Sequence, residues 1–85
     1  MSWSEADAKR FGAVLRGLRV ERGLSQEALA FRAGVTKNQI QLIEAGRSSG
    51  RKEATGPSNP RLSTLVGLAE VMEMSVSALL AKAGM

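Results

Sequence analysis

Residues 34–46 read GVTKNQIQLIEAG. Glycines bracket this stretch, and glycine ends a helix cheaply because it tolerates the left-handed backbone conformation. Thr36 is a hydroxyl residue suited to capping a helix, with Gln39 as its capping-box partner three positions on. Ile40 and Ile43 then fall on one face. The pattern predicts a helix over Lys37–Ala45 whose apolar pair holds it to its own domain. Its first turn offers Lys37, Asn38 and Gln39, three polar side chains with different hydrogen-bonding abilities. They form either a plain solvated surface or a surface built to touch something.

Working outward, the same punctuation recurs. Upstream, Ser25 caps a predicted helix over Gln26–Ala33, with Gln26 and Glu27 in its first turn and Ala28, Leu29 and Phe31 as apolar surface. Before that, Ser4 caps a longer helix with Asp7 reaching back to it. Phe11, Leu15 and Leu18 give that helix one buried stripe, with Val14 beside it. Gly23 ends it, and Leu24 folds back on its last turn.

Downstream, RSSGRKEATGPSN (residues 47–59) is polar, turn-rich and without periodicity, so it reads as an extended loop. Asn59 followed by Pro60 reads as a cap and a first-turn proline opening a fourth helix. Leu62, Leu65, Leu68, Ala69 and Met72 supply its buried face. Ser75 caps a fifth, with Val76, Leu79 and Leu80 turned inward. Met72 and Met74 read as core, and Trp3 as a satellite packing residue. No period-two alternation occurs. The expectation is an all-α, five-helix single domain spanning 1–85.

The chain has 85 residues, room for one domain near the lower size limit for an unstapled core. It has no cysteine and no histidine, so disulfides, thiolate metal sites and the commonest general base are all absent. There is no Walker or dinucleotide glycine motif, and no pair of carboxylates on one face. An enzyme is not expected, nor a cofactor. No apolar run approaches the length of a membrane span, and the first residues lack a secretory layout. A soluble cytoplasmic protein is expected.

The formal charge is +4, with the basic surplus at the front and in the middle. Residues 47–61 hold four basic side chains against one acidic, which suits a polyanion partner without proving one.

Two short helices joined by a tight glycine turn form a helix-turn-helix, here over residues 25–46, whose second member enters the DNA major groove. That role demands a helix glued down on one side only. Ile40 and Ile43 supply the glue; Lys37, Asn38 and Gln41 supply the donors and acceptors.

The run LRVERGLSQEALAFRAGVTKNQIQLIEAG resembles the phage repressor and Cro-type helix-turn-helix family, also called the XRE family. Leu-Arg, Gly-Leu-Ser-Gln, a following Leu-Ala, Gly-Val-Thr and Ile-x-x-Ile-Glu-x-Gly stand in the family's order from Leu18 to Gly46. LSTLVGLAEVMEMSVSALL is similar to its fourth and fifth helices. The resemblance implies a lambda-repressor-like fold and a sequence-specific, double-stranded DNA-binding transcription regulator. It implies base contacts from Lys37 and Asn38, with Gln41 one turn further along the same face reaching a base or a phosphate; Leu42, which departs from the family pattern, suits a thymine methyl by its own apolar side chain. It implies a phosphate contact from Gln26 at a helix N-terminus, and Thr36, capping the next helix, is read with it. Outside the resemblance, Arg47, Arg51 and Lys52 of the extended loop, with Arg61 behind, either flank the duplex with further phosphate contacts or stay in solvent. Arg19 and Glu44 match a structural pair bridging the first and third helices.

Three departures from the pattern stand out. Leu42 replaces a polar or basic residue, the loop after Gly46 is about ten residues longer, and Glu73 replaces a glycine that ends the fourth helix. A left-handed cap at Glu73 costs about 1 kcal/mol.

One such unit reads only a few base pairs, so a repressor acting as a homodimer on a palindromic operator is expected, joined through the C-terminal helix and the loop before it. The rival expectation is an antitoxin-like interaction module that binds a partner protein and autoregulates its operon.

Overall fold

The computed structural model describes residues 3–47 and 58–85. Arg51, Lys52 and the rest of 48–57 lie outside the described residues. Among the described residues five helices follow in order: α1 (Glu5–Glu21), α2 (Gln26–Ala33), α3 (Lys37–Ala45), α4 (Leu62–Val71) and α5 (Val76–Lys82).

Side-chain caps set four of the five starts. Ser4 accepts from the Asp7 N–H while the Asp7 carboxylate accepts from the Ser4 N–H, a complete capping box. Ser25 and Ser75 cap α2 and α5 through the N–H groups of Ala28 and Ala78. Thr36 and Gln39 close a second box on α3. Gly34 and Gly46, both left-handed, end α2 and α3. Glu73 has φ +56° just past α4, so the strained non-glycine position expected from sequence is present.

The start of α4 differs from the expectation. Asn59 and Pro60 do not open it; Arg61 is the N-cap, and among the described residues no side chain caps the helix. The physical reason lies just upstream. The Ser58 N–H donates to the Gly46 carbonyl at 3.1 Å, and the Trp3 indole N–H donates to the Ser58 carbonyl. These two bonds fix the path of the chain at Ser58, and from there it enters α4 only at Arg61.

Phe11, Leu15, Leu29, Ile40, Leu68, Met72 and Leu79 form the fully buried core. Leu65, Met74, Val76 and Leu80, expected inside, are only partly buried against it, while Phe31, expected as apolar contact surface, is 87% exposed and Leu62, expected on the buried face, is 71% exposed. α2 has only two turns, and Leu29 and Ala30, with Ala33 at the edge, already fill its inner face. Trp3 packs edge-on against Phe11 at a centroid distance of 6.1 Å.

Close helix approaches depend on glycine. A Cβ at Gly12 of α1 would stand 2.3 Å from the Ile43 carbonyl oxygen of α3, and one at Gly67 of α4 would stand 2.4 Å from the Ala33 oxygen of α2. Two arginines tie down the far ends: Arg22, just past α1, donates to the Met72 carbonyl at 2.9 Å, and Arg10 of α1 donates to the Ala83 carbonyl. Among the described residues no single helix is long and apolar enough to cross a membrane.

Candidate nucleic-acid interface

α3 is fixed by one face. Ile40 and Ile43 are 0% and 5% exposed, whereas Lys37, Asn38 and Gln41 are exposed and Leu42 is half-buried. Gln39 is exposed too, but its side-chain oxygen accepts the Thr36 N–H at 2.9 Å, so it serves the cap. The Thr36 hydroxyl accepts from the Gln39 N–H at 3.1 Å. The first turn carries no acidic residue. Lys37 therefore adds to the positive end of the helix dipole with no carboxylate on that turn to oppose it, which favours an anionic partner.

Glu44 holds three helices at one carboxylate. Arg19 of α1 donates from Nε to Oε2 at 2.7 Å and from Nη2 to Oε1 at 3.1 Å. Arg19 also donates to the Leu24 carbonyl at 2.8 Å, gripping the turn before α2. Gln26, the first residue of α2, donates from Nε2 to Glu44 Oε1 at 3.1 Å. The pair is largely withdrawn from water, with side-chain exposures of 13% and 5%. Hydrogen bonding to Glu44 raises the Arg19 pKa further, against the opposing effect of burial.

The Gln26 link was missed at the sequence level. Nothing in a separation of eighteen residues marks it, because it exists only once α2 and α3 are packed at their angle.

The candidate residues gather into two groups. Arg19, Gln26, Gln41 and Glu44, with Arg16, line a polar recess where α1, α2 and α3 meet. Leu42, Arg47 and Arg61, with Ser58, Asn59 and Thr64, line a cleft of about 240 Å³ between α3 and the start of α4. Arg47 is exposed, and its N–H donates to the Leu42 carbonyl at 2.9 Å. Lys37 and Asn38 stand outside both recesses, on the open edge of α3.

This geometry has known counterparts. The restriction-modification controller protein C.AhdI from Aeromonas hydrophila is 34% identical, with a TM-score of 0.70 over 87% of this chain and 97% of its own. Two structures of the clp gene regulator ClgR from Corynebacterium glutamicum share the fold at 24% and 23% identity. Their TM-scores are 0.67 and 0.66 over 92% of this chain, and 72% and 88% of theirs. Among curated protein sequences, none is significantly similar. A family model described as a helix-turn-helix domain matches residues 10–79. The chain thus belongs to the helix-turn-helix domain family and carries the fold of DNA-binding transcription regulators.

Proposed function

We propose that this protein is a sequence-specific, double-stranded DNA-binding transcription regulator that represses by occupancy, as a homodimer on a palindromic operator. The observation that carries the reading is the one-sided burial of α3: Ile40 and Ile43 inside, Lys37, Asn38 and Gln41 outside. C.AhdI is a restriction-modification controller protein, and its similarity over nearly all its length supports a controlling role of the same general kind.

α3 enters the major groove with its N-terminal turn leading. Lys37 donates to guanine, Asn38 pairs with adenine, Gln41 reaches a base or phosphate, and Leu42 meets a thymine methyl. Gln26 and Thr36, at the starts of α2 and α3, hold backbone phosphates, where helix N-termini favour anions. Arg47 and Arg61 add contacts at the flank. Arg51 and Lys52 join them on sequence grounds. The Arg19–Glu44 pair orients α3 without touching DNA. For the dimer, Leu62 and Val66 of α4 are exposed apolar residues, and Leu65 and Leu80 line an apolar recess with Trp3 and Met85.

Selection of bound sites from random duplexes at a fixed salt concentration tests the reading. A palindrome with half-sites about one helical turn apart, roughly 34 Å, is the expected result. Asn38→Ala relaxes preference at one base position. Arg61→Ala weakens all sequences alike and reduces the salt slope by about one. Equal losses for both variants on every sequence refute these roles. A strict monomer in sedimentation, with and without DNA, refutes the dimer.

A further inference from the structure

The C-terminal end of α3 is held by more than its own helix cap. Gly46 is buried, and a Cβ there would stand 3.0 Å from Lys9 Cγ and 3.1 Å from Lys9 Cα, so the end of α3 rests on the second turn of α1. The Gly46 carbonyl accepts the Ser58 N–H at 3.1 Å, and the Ser58 carbonyl in turn accepts the Trp3 indole N–H. Trp3 sits edge-on against Phe11, the residue before Gly12, where α1 meets the α3 backbone. The contacts close into a circuit: α1 to Trp3, Trp3 to Ser58, Ser58 to the end of α3, and α3 back to α1.

Two features set this apart from ordinary terminal packing. Chain ends stay loose unless something ties them down, and here the one polar group of Trp3 goes to a carbonyl 55 residues away. Ser58 is also 3% exposed, so the bond lies beside chain withdrawn from water, where an unmet carbonyl is costly. A phenylalanine at the same place would fill the apolar space but supply no donor.

The circuit bears on the edge that faces outward. α3 is a rod of nine residues, about 13 Å long at 1.5 Å per residue. Ile40, Ile43 and Glu44 hold its inner face, which leaves its tilt to be set at the ends. Base edges are read by short, directed hydrogen bonds, whereas attraction to phosphates tolerates displacement.

We propose that Trp3 is a positioning residue for sequence reading. Through Ser58 and Gly46 it sets the tilt of α3, so that Lys37 and Asn38 meet base edges, and it does so without touching DNA itself. The inference rests on the DNA-binding reading above and deepens it by placing a determinant of specificity outside the helix-turn-helix.

Two substitutions separate positioning from plain packing. Trp3→Phe keeps an aromatic ring against Phe11 and loses the indole N–H. Its affinity for a site selected by the wild type falls about three- to tenfold, the worth of one hydrogen bond, while its affinity for random duplex stays the same. Val71→Ala trims a partly buried side chain of α4 outside the circuit, so it reports what lost stability alone does. It keeps the wild-type ratio of the two affinities. A wild-type ratio in Trp3→Phe, or the same fall in Val71→Ala, overturns the positioning role while leaving the DNA reading intact.

A wild-type protein that binds no duplex even at low salt removes the DNA reading instead. The link from Trp3 to α3 is then judged on the free protein. Lys37 lies about 13 Å along the rod from Gly46, beyond the local effect of the changed ring. Movement of the Lys37 and Asn38 amide resonances in Trp3→Phe, absent in Val71→Ala, supports the link, and unmoved resonances overturn it.

Discussion

Replacing Gly12 by alanine and replacing Gly17 by alanine make the same chemical change in the same helix, yet the two should move stability in opposite directions. Both gain helix propensity, about 0.5–1 kcal/mol for a glycine replaced in a helix interior. At Gly17 nothing lies within 4 Å of the new Cβ, so the gain is unopposed. At Gly12 the new Cβ would stand 2.3 Å from the Ile43 oxygen, 2.8 Å from the Glu44 oxygen and 3.0 Å from the Glu44 carbonyl carbon. All three are backbone atoms, so no side chain can swing aside. α1 and α3 must part by about 1 Å, and forced overpacking of this kind costs typically about 1–3 kcal/mol. Taking the upper end, the net loss at Gly12 is about 2 kcal/mol. A domain of this size shifts about 4–8 °C per kcal/mol, so Tm falls about 8–16 °C in Gly12→Ala and rises about 2–8 °C in Gly17→Ala. Thermal unfolding followed by circular dichroism checks both. Because α3 carries the outward edge, Gly12→Ala should also lose affinity for a selected site more than for random duplex. A rise in Tm for Gly12→Ala matching that of Gly17→Ala would refute the claim that this contact seats α3.

Further expectations concern the caps and the central ion pair. Glu44→Ala leaves Arg19 without its carboxylate and should cost about 2 kcal/mol in chemical denaturation, since hydrogen bonds to charged groups are worth about 1.5–3 kcal/mol. No loss would show that water replaces the pair at no cost. Glu73→Gly relieves the left-handed strain at φ +56° and should gain about 0.5–1 kcal/mol, seen as a higher denaturation midpoint with unchanged slope. Asp7 is held below the usual aspartate range by hydrogen bonds from the Ser4 backbone and side chain, with Arg10 assisting. Its contribution is therefore present above the unfolded-state value and lost as pH falls through the lowered folded one. Asp7→Ala should be less stable than wild type at neutral pH, and the gap should close in acid; a gap that widens contradicts the assignment.

Much of this architecture was legible because short-range chemistry carries it. Ser4 with Asp7, Ser25, and Thr36 with Gln39 each specify a helix start within four residues, and Gly34 and Gly46 specify ends. The boundaries of α2 and α3 followed directly. What failed needed information from far along the chain. Phe31 and Leu62 are apolar, but hydrophobicity does not reveal that neighbours already fill the inner face. Asn59–Pro60 carries a correct local signal for a helix start, overruled by long-range bonds at Ser58. Gly12 and Gly67 read in sequence as mere helix weakeners; only the crossing of α1 with α3, and of α4 with α2, turns them into requirements. Of the interface, the edge of α3 was readable, since Ile40 and Ile43 fix which way it points. The Gln26–Glu44 bond was not, because it depends on the packing of separate elements.

The bond between the Ser58 N–H and the Gly46 oxygen holds together the two described segments that flank residues 48–57. Inserting residues between two ends pinned in this way costs little, since each doubling of a flexible connection adds only about 0.6 kcal/mol of closure entropy. Relatives can therefore diverge in this stretch, and experimenters can graft a tag or an epitope there, while the five helices keep their places.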